Sequence, residues 1–320
     1  MSIKNPYNVI TIKPTTGITS KNIKELEEET LNNLRNSKAN NTLRAYKSDY
    51  KNFALFCSKN NFQSMPTQPK IMALYLTHLS KTLKYSTLKR RLASISVLHK
   101  MKGHYIDTKH PIIMENLMGI KRTNGSNQKG KKPLLISNLK LLIEAIHKSK
   151  EKNNRKIRDK ALILIGFSGA FRRSELVDIE YEDIEFVLEG VKIFVKRSKT
   201  DQSGEGMTKA IPYFDSENFC PVKALKNWVQ ITDSKNGKIF NISDKNVALI
   251  IKKYANYAGL DSRSYAGHSL RSGFATSTAE SGAEERNIMA MTGHKSTEMV
   301  RRYIKEANLF KNNALNKIKI

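Results

Sequence analysis

The sequence predicts a mainly α-helical protein with one small three-stranded antiparallel sheet in its second half, an α+β arrangement spread over two domains. Three observations lead there. Apolar residues recur at helical spacing over most of the 320 residues. The period switches to alternation once, between 183 and 214. A basic stretch with two glycines and no large apolar residue, 121–132, separates two segments that are each long enough to bury a core.

Residues 1–22 are polar, carry Pro6 and Pro14 and hold no sustained period, which predicts a flexible N-terminal arm. From 23 to 120 the pattern is helical. In 41–60, Leu43, Tyr46, Tyr50, Phe53, Ala54 and Cys57 form one apolar stripe, with Thr42 placed to cap it. A second helix is expected from Pro69 to Lys81, with Ile71, Leu74, Tyr75 and Leu79 on one side. A third spans 85–103, with Leu88, Leu92, Ile95 and Leu98 inward and Gly103 as its stop. After the linker 121–132, the domain from 133 to 320 opens with helices at Ser137–Lys148 and Arg155–Phe171. Val191, Ile193 and Val195 then alternate, Glu189-Gly190 sits at hairpin spacing, and 209–214 supplies a third strand. Helical pattern returns after Pro221.

Charge narrows the function. There are 56 Lys+Arg against 29 Asp+Glu, a net +27, and such a surplus repels itself unless a polyanion neutralises it. Nucleic acid is the expected partner. Residues 1–120 carry 19 basic and 7 acidic groups, net +12; the linker adds +5; the rest is net +10. A two-domain, C-shaped clamp around a duplex would be charged this way, as would two unrelated basic domains; on the clamp reading Arg44, Lys89, Arg90, Lys129, Lys131 and Lys132 are candidate DNA contacts. The longest apolar run, 161–171, is far shorter than the ~20 residues of a membrane span. No secretory signal pattern opens the chain, and two cysteines, Cys57 and Cys220, make neither a disulfide framework nor a cysteine zinc site. A cytoplasmic protein without membrane partners is expected.

Phosphate-loop, HExxH and clustered-carboxylate patterns are absent, so a phosphodiester would have to be cut with side chains alone, with no cofactor and no metal. That chemistry needs fixed cations on the non-bridging oxygens, a nucleophile in line, and a proton for the departing oxygen. Arginine suits the first task because its planar fork bonds two oxygens together. Arg172 and Glu175 lie three apart in GAFRRSELVDI, although the cations there would also finish a helix. His268 and Arg271 stand where a helix beginning near Ser269 would present free N–H groups to a phosphate. Gly293-His294 precedes Tyr303 by nine residues from the histidine. Each of these alone is weak; a lone tyrosine is ordinarily a core aromatic, and Lys199 in RSKTDQ reads alone as a hairpin charge.

Their order is specific. Gly169, Arg172, Ser174, Glu175 and Leu176, then HSLR at 268–271, then Gly293-His294 and Tyr303, resemble the tyrosine recombinase (phage integrase) family over nearly the whole chain. The resemblance implies a helical DNA-clasping domain followed by a catalytic one, with Tyr303 as nucleophile giving a 3′-phosphotyrosyl link. It implies Arg172 and Arg271 as the phosphate clamp, His268 as proton acceptor, His294 as hydrogen-bond donor, Lys199 as general acid and Glu175 as a supporting residue. Many members carry an aliphatic residue where Arg173 stands, so either arginine could be the clamp, with register favouring Arg172; Lys196 and Lys209 flank Lys199. A homotetramer on DNA, reached by exchange of the tail after Tyr303 and a monomer or weak associate when free, is also implied. Two other classes fit less of the pattern: a type IB topoisomerase-like enzyme that relaxes DNA, and a DNA-binding regulator without catalysis.

Overall fold

The structure is a computed structural model that describes residues 20–126, 130–196, 205–294, 296–307 and 314–318. Most of the arm, Lys129, Lys199, and Leu309 and Phe310 of the tail lie outside the described residues. Two compact units divide the chain, residues 1–128 and 129–320.

The first unit is helical. Its elements are α1 (Ser20–Asn36), α2 (Asn40–Lys59), α3 (Pro69–Ser80), α4 (Tyr85–Met101) and α5 (Pro111–Asn124). Proline opens α3 and α5, where its missing N–H would have had no helical partner. The core gathers Phe53, Cys57, Tyr75, Leu76, Leu88, Leu92 and Ile95, with the Phe53 and Tyr75 rings edge-on at 5.0 Å. Three local expectations change. Thr42 lies inside the first turn of α2, because the carbonyl of Ala39 already accepts the N–H groups of Thr42 and Leu43. Leu74 faces solvent, and the buried side of α3 is Met72, Tyr75, Leu76 and Leu79. The linker begins later than its composition suggests, since Lys121 and Arg122 complete the last turn of α5 and the chain leaves at Gly125 with φ +70°.

In the second unit, α6 (Ile136–Lys148), α7 (Asn153–Ser168) and the short α8 (Arg173–Val177) precede the strands β1 (Ile184–Val187), β2 (Gly190–Val195) and β3 (Met207–Pro212). Then follow α9 (Pro221–Thr232), α10 (Asp244–Tyr257), α11 (His268–Glu280), α12 (Glu285–Thr292) and α13 (Thr297–Ala307). The sheet is antiparallel in the order β1-β2-β3, with Val187 opposite Gly190 and Ile193 opposite Lys209. The turn residues are therefore Leu188 and Glu189, and Gly190 opens β2. A side chain there would meet the Ile211 carbonyl at 2.1 Å, so glycine is required by the close approach of β3.

The apolar run of the sequence is α7. Ala161 to Ile165 are buried on every side, as befits a helix enclosed by its neighbours, and α7 packs against α9 and α11. It ends at Ser168, earlier than its apolar pattern predicts, because Ala170 turns to φ +49° and breaks the helical path. That turn delivers Arg172 to the start of α8.

Candidate active site

Arg172 caps α8. The Glu175 carboxylate accepts the backbone N–H of Arg172 at 3.0 Å and its guanidinium at 2.5 Å, so one buried acid fixes both ends of the residue. Arg173 turns elsewhere, 3.7 Å from Asp244 on α10, with its stem where a side chain on Gly267 would lie. Of the two adjacent arginines, Arg172 is the one brought to the cluster.

His268 and Arg271 sit on the first turn of α11. Arg271 is 1% exposed, which is extreme for a guanidinium. Its Nη1 donates to the Ala170 carbonyl at 2.9 Å, so the left-handed turn after α7 also serves to hold the second arginine. Nη2 meets Nε2 of His294 at 3.3 Å. Burial first, and Arg172 second, bring the Arg271 pKa down to about 10, so it stays charged at neutral pH.

The proton of His294 can be placed by elimination. Thr292 donates its hydroxyl hydrogen to the Ile288 carbonyl at 2.7 Å, and therefore accepts from Nδ1 of His294 at 2.8 Å. Nε2 is left bare and accepts from Arg271. Burial, followed by Arg271 and Arg172, pushes His294 down to about 4, consistent with a neutral ring. His268 is lowered by the same kinds of neighbour, burial first and then Arg271, Arg172 and Arg173. It is a neutral base at pH 7. Its Nε2 lies 3.5 Å from the Tyr303 hydroxyl, and the Tyr303 and His294 ring centres are 6.2 Å apart. Tyr303 projects from α13, whose inner face packs on Ala275, Ala279 and Ile288 of α11 and α12. Five residues drawn from four separate stretches thus face one small space.

Lysines divide three ways. Lys196, at the end of β2, is bonded to Glu180 and Glu182, with Asp183 at 3.1 Å, and these acids hold its pKa above the ordinary value. It is a fastened charge rather than a proton donor. Lys199 is outside the described residues. Lys209, weighed in the sequence only as a neighbour of Lys199, is 1% exposed on β3, where it donates to the carbonyls of Gly169 at 2.6 Å and Met291 at 2.5 Å. A lysine in phase with Ile211 on the inward side of a strand is the signal that would have found it.

Among the candidate DNA contacts, Arg44, Lys89, Lys131 and Lys132 are exposed. Arg90 is exposed but paired with Asp49, which also accepts from Ser94. Lys131 donates to the Arg263 carbonyl at 2.5 Å. Among the described residues, no three His, Cys, Asp or Glu side chains gather as metal ligands would, and no helix is long and apolar enough to cross a membrane.

Comparison with known proteins gives the family and the fold. Residues 134–309 match the model of the phage integrase family. The chain is 42% identical over 300 residues to an integrase/recombinase XerD homolog of Selenomonas ruminantium, covering 89% of this chain and 87% of the relative. It is 25% identical over 294 residues to the tyrosine recombinase XerC of Staphylococcus aureus, with 88% and 92% covered. Two solved structures share the fold. One is the XerH site-specific recombinase bound to palindromic difH substrate in a post-cleavage complex (TM-score 0.60, 19% identity, 78% of this chain and 73% of that one). The other is a lambda integrase dimer bound to a COC′ core site (TM-score 0.58, 19% identity, 93% and 99%). The chain belongs to the phage integrase family of tyrosine recombinases, site-specific enzymes that break and rejoin DNA.

Proposed function

We propose that Tyr303 attacks the scissile phosphate of a duplex site, forming a 3′-phosphotyrosyl link and freeing a 5′-hydroxyl. The observation that carries this reading is the convergence of Arg172, Arg271 and His268 beside the Tyr303 hydroxyl. A phenol with pKa near ~10 is a poor nucleophile at neutral pH, and it gains from a neutral base at hydrogen-bond reach. His268 takes that place. The guanidinium groups of Arg172 and Arg271 hold the non-bridging oxygens, where negative charge grows in the transition state. His294 keeps Arg271 oriented in the free protein; an arriving phosphate raises its affinity for a proton, and the ring then donates to an oxygen through Nε2. Lys199 protonates the departing 5′-oxygen. The phosphotyrosine conserves the energy of the broken bond, so a second strand can displace it without ATP.

Exchange between two duplexes requires four such sites, and we infer a homotetramer on DNA, with a monomer or weak associate in its absence. Support comes from an apolar groove of about 740 Å³ in the second unit, walled by Ile136, Phe167, Ile211, Phe214, Phe219 and Phe274. Leu315 and Ile318 of the tail are 69% and 59% exposed, and the segment they belong to is matched in chemistry to that groove. The tail of one copy in the groove of the next makes a head-to-tail contact that closes into a ring. Arg44, Lys89, Lys131 and Lys132 add salt-dependent backbone contacts. The cytoplasm is the compartment in which this activity is placed.

The test uses a nicked duplex carrying the site that this protein itself selects from a random-sequence pool. Cleavage next to the nick releases a short strand and strands the protein on DNA. A detergent-resistant protein–DNA species with a free 5′-hydroxyl is expected; binding without any such species would reduce the chain to a cationic DNA binder.

A further inference from the structure

Lys209 lies beside the clamp, and the chemistry above gives it no role. Its Nζ sits at the meeting point of three segments. The lysine itself belongs to β3; Gly169 follows the end of α7; Met291 lies in the last turn of α12. Both acceptors are carbonyls at helix ends, which have no partner inside their own helix. One ammonium satisfies the pair. The Phe171 ring centre is 4.8 Å away and closes the site toward the core. Three residues beyond each acceptor stands a residue of the site: Arg172 after Gly169, and His294 after Met291. The same two turns are joined a second time by Arg271, through the Ala170 carbonyl and His294.

An apolar residue at 209 would fit the inward face of β3 and would take this donor from both carbonyls, the buried one of Gly169 and the partly buried one of Met291. The charge is expensive in its place. Burial, opposed by Glu175 and reinforced by Arg271 and Arg172, draws the amine down to about 7. At 1% exposure it does not reach DNA, so whatever it contributes passes through the two turns.

We propose that Lys209 is a positioning residue of the cleavage reaction: by bonding Gly169 and Met291 together it sets the spacing of the turns that carry Arg172 and His294, and hence the shape of the phosphate clamp. This rests on the reading of the site given above.

The test compares two versions of the nicked duplex from the selected site. In the second, a methyl group replaces one non-bridging oxygen of the scissile phosphate and removes the charge that the clamp must neutralise. A Lys209→Met protein that keeps its helical circular dichroism and its affinity for the ordinary duplex is expected to cleave that duplex about 10²-fold more slowly at saturating protein, the scale of a small misplacement of a catalytic group. On the methylphosphonate duplex the deficit is expected to shrink to less than about tenfold, as it should for Arg172→Ala, whose lost interaction is the same. Lys209→Arg, which keeps the charge and the donors, should recover most of the rate. Equal losses on both duplexes, or no loss on either, overturn the proposal, because a merely structural lysine has no reason to distinguish them. Should Lys209→Met fail to fold, Lys209→Gln, with two donors and no charge, carries the same comparison. If the unaltered protein forms no adduct with the ordinary duplex, the reading of the site falls first and this one with it.

Discussion

Arg271 shows most directly how much the site demands of a single residue. A guanidinium at 1% exposure is tolerable because each side of its fork has an acceptor, Ala170 on one and His294 on the other. Lysine keeps the charge but not the fork, and Arg271→Lys is expected to lower single-turnover cleavage by roughly 10²–10³ while site affinity changes little. The neighbouring histidines predict a pH dependence. In the free protein both are held below the ordinary 6.5, His294 at about 4. A histidine lowered on folding contributes stability that is complete above its unfolded pKa and is lost as pH falls through its folded one. The melting temperature should therefore decline from about pH 6.5 toward 4, and His294→Asn should flatten that decline. The midpoint of the acid-side fall in the second-order cleavage rate should lie below pH 6.5, because burial and the neighbouring Arg271 and Arg172 hold His268 below its ordinary value. At this scale the sequence was most readable where order mattered: Arg172, His268, Arg271, His294 and Tyr303 stand out as a series. Lys209 was hidden because its meaning depends on which side of β3 faces inward, and the roles of Arg172 and Arg173 separate only once Asp244 and Gly267 are nearby.

Elements follow the periodicity of their side chains closely in the interior and loosely at their ends. The stripes of α2 and α4 and the alternation of β2 are set by burial, and burial is what apolar spacing reports. Ends depend on backbone acceptors and on φ, which the same spacing does not report. α7 stops three residues short of its apolar pattern because Ala170 adopts φ +49°, and that interruption is what frees the carbonyls of Gly169 and Ala170 for Lys209 and Arg271. Helix α11 reveals another close approach. A side chain on Gly273 would come within 2.1 Å of the Leu134 carbonyl, a backbone atom that cannot swing aside. Gly273→Ala should lower unfolding stability by about 1–3 kcal/mol in chemical denaturation, in spite of alanine's better helix propensity. An unchanged or higher stability would mean that the segment entering α6 gives way to the added methyl group.

For the molecule as a whole, a net charge of +27 explains attraction to DNA but does not separate an enzyme from a coat. That separation comes from the cluster on α8, α11 and α13 and from the family to which residues 134–309 belong. Assembly makes its own prediction. Removing 308–320 should leave cleavage of a single nicked site within a few fold and abolish synapsis of two sites, seen as loss of the slowest species in native gels; retained synapsis would show that the tail serves only its own chain. The apolar groove was the least legible feature, since at Ile136 and Phe274 it joins residues far apart in sequence. All of this depends on the tyrosine beside His268 being the atom that meets phosphorus. Its measurement is to digest the protein–DNA adduct formed on the nicked duplex and locate the nucleotide by mass spectrometry, with Tyr303→Phe alongside. The account predicts a nucleotide on the peptide containing Tyr303 and a phenylalanine variant that binds the duplex yet forms no adduct; a nucleotide on another residue, or an adduct that survives the substitution, would contradict it.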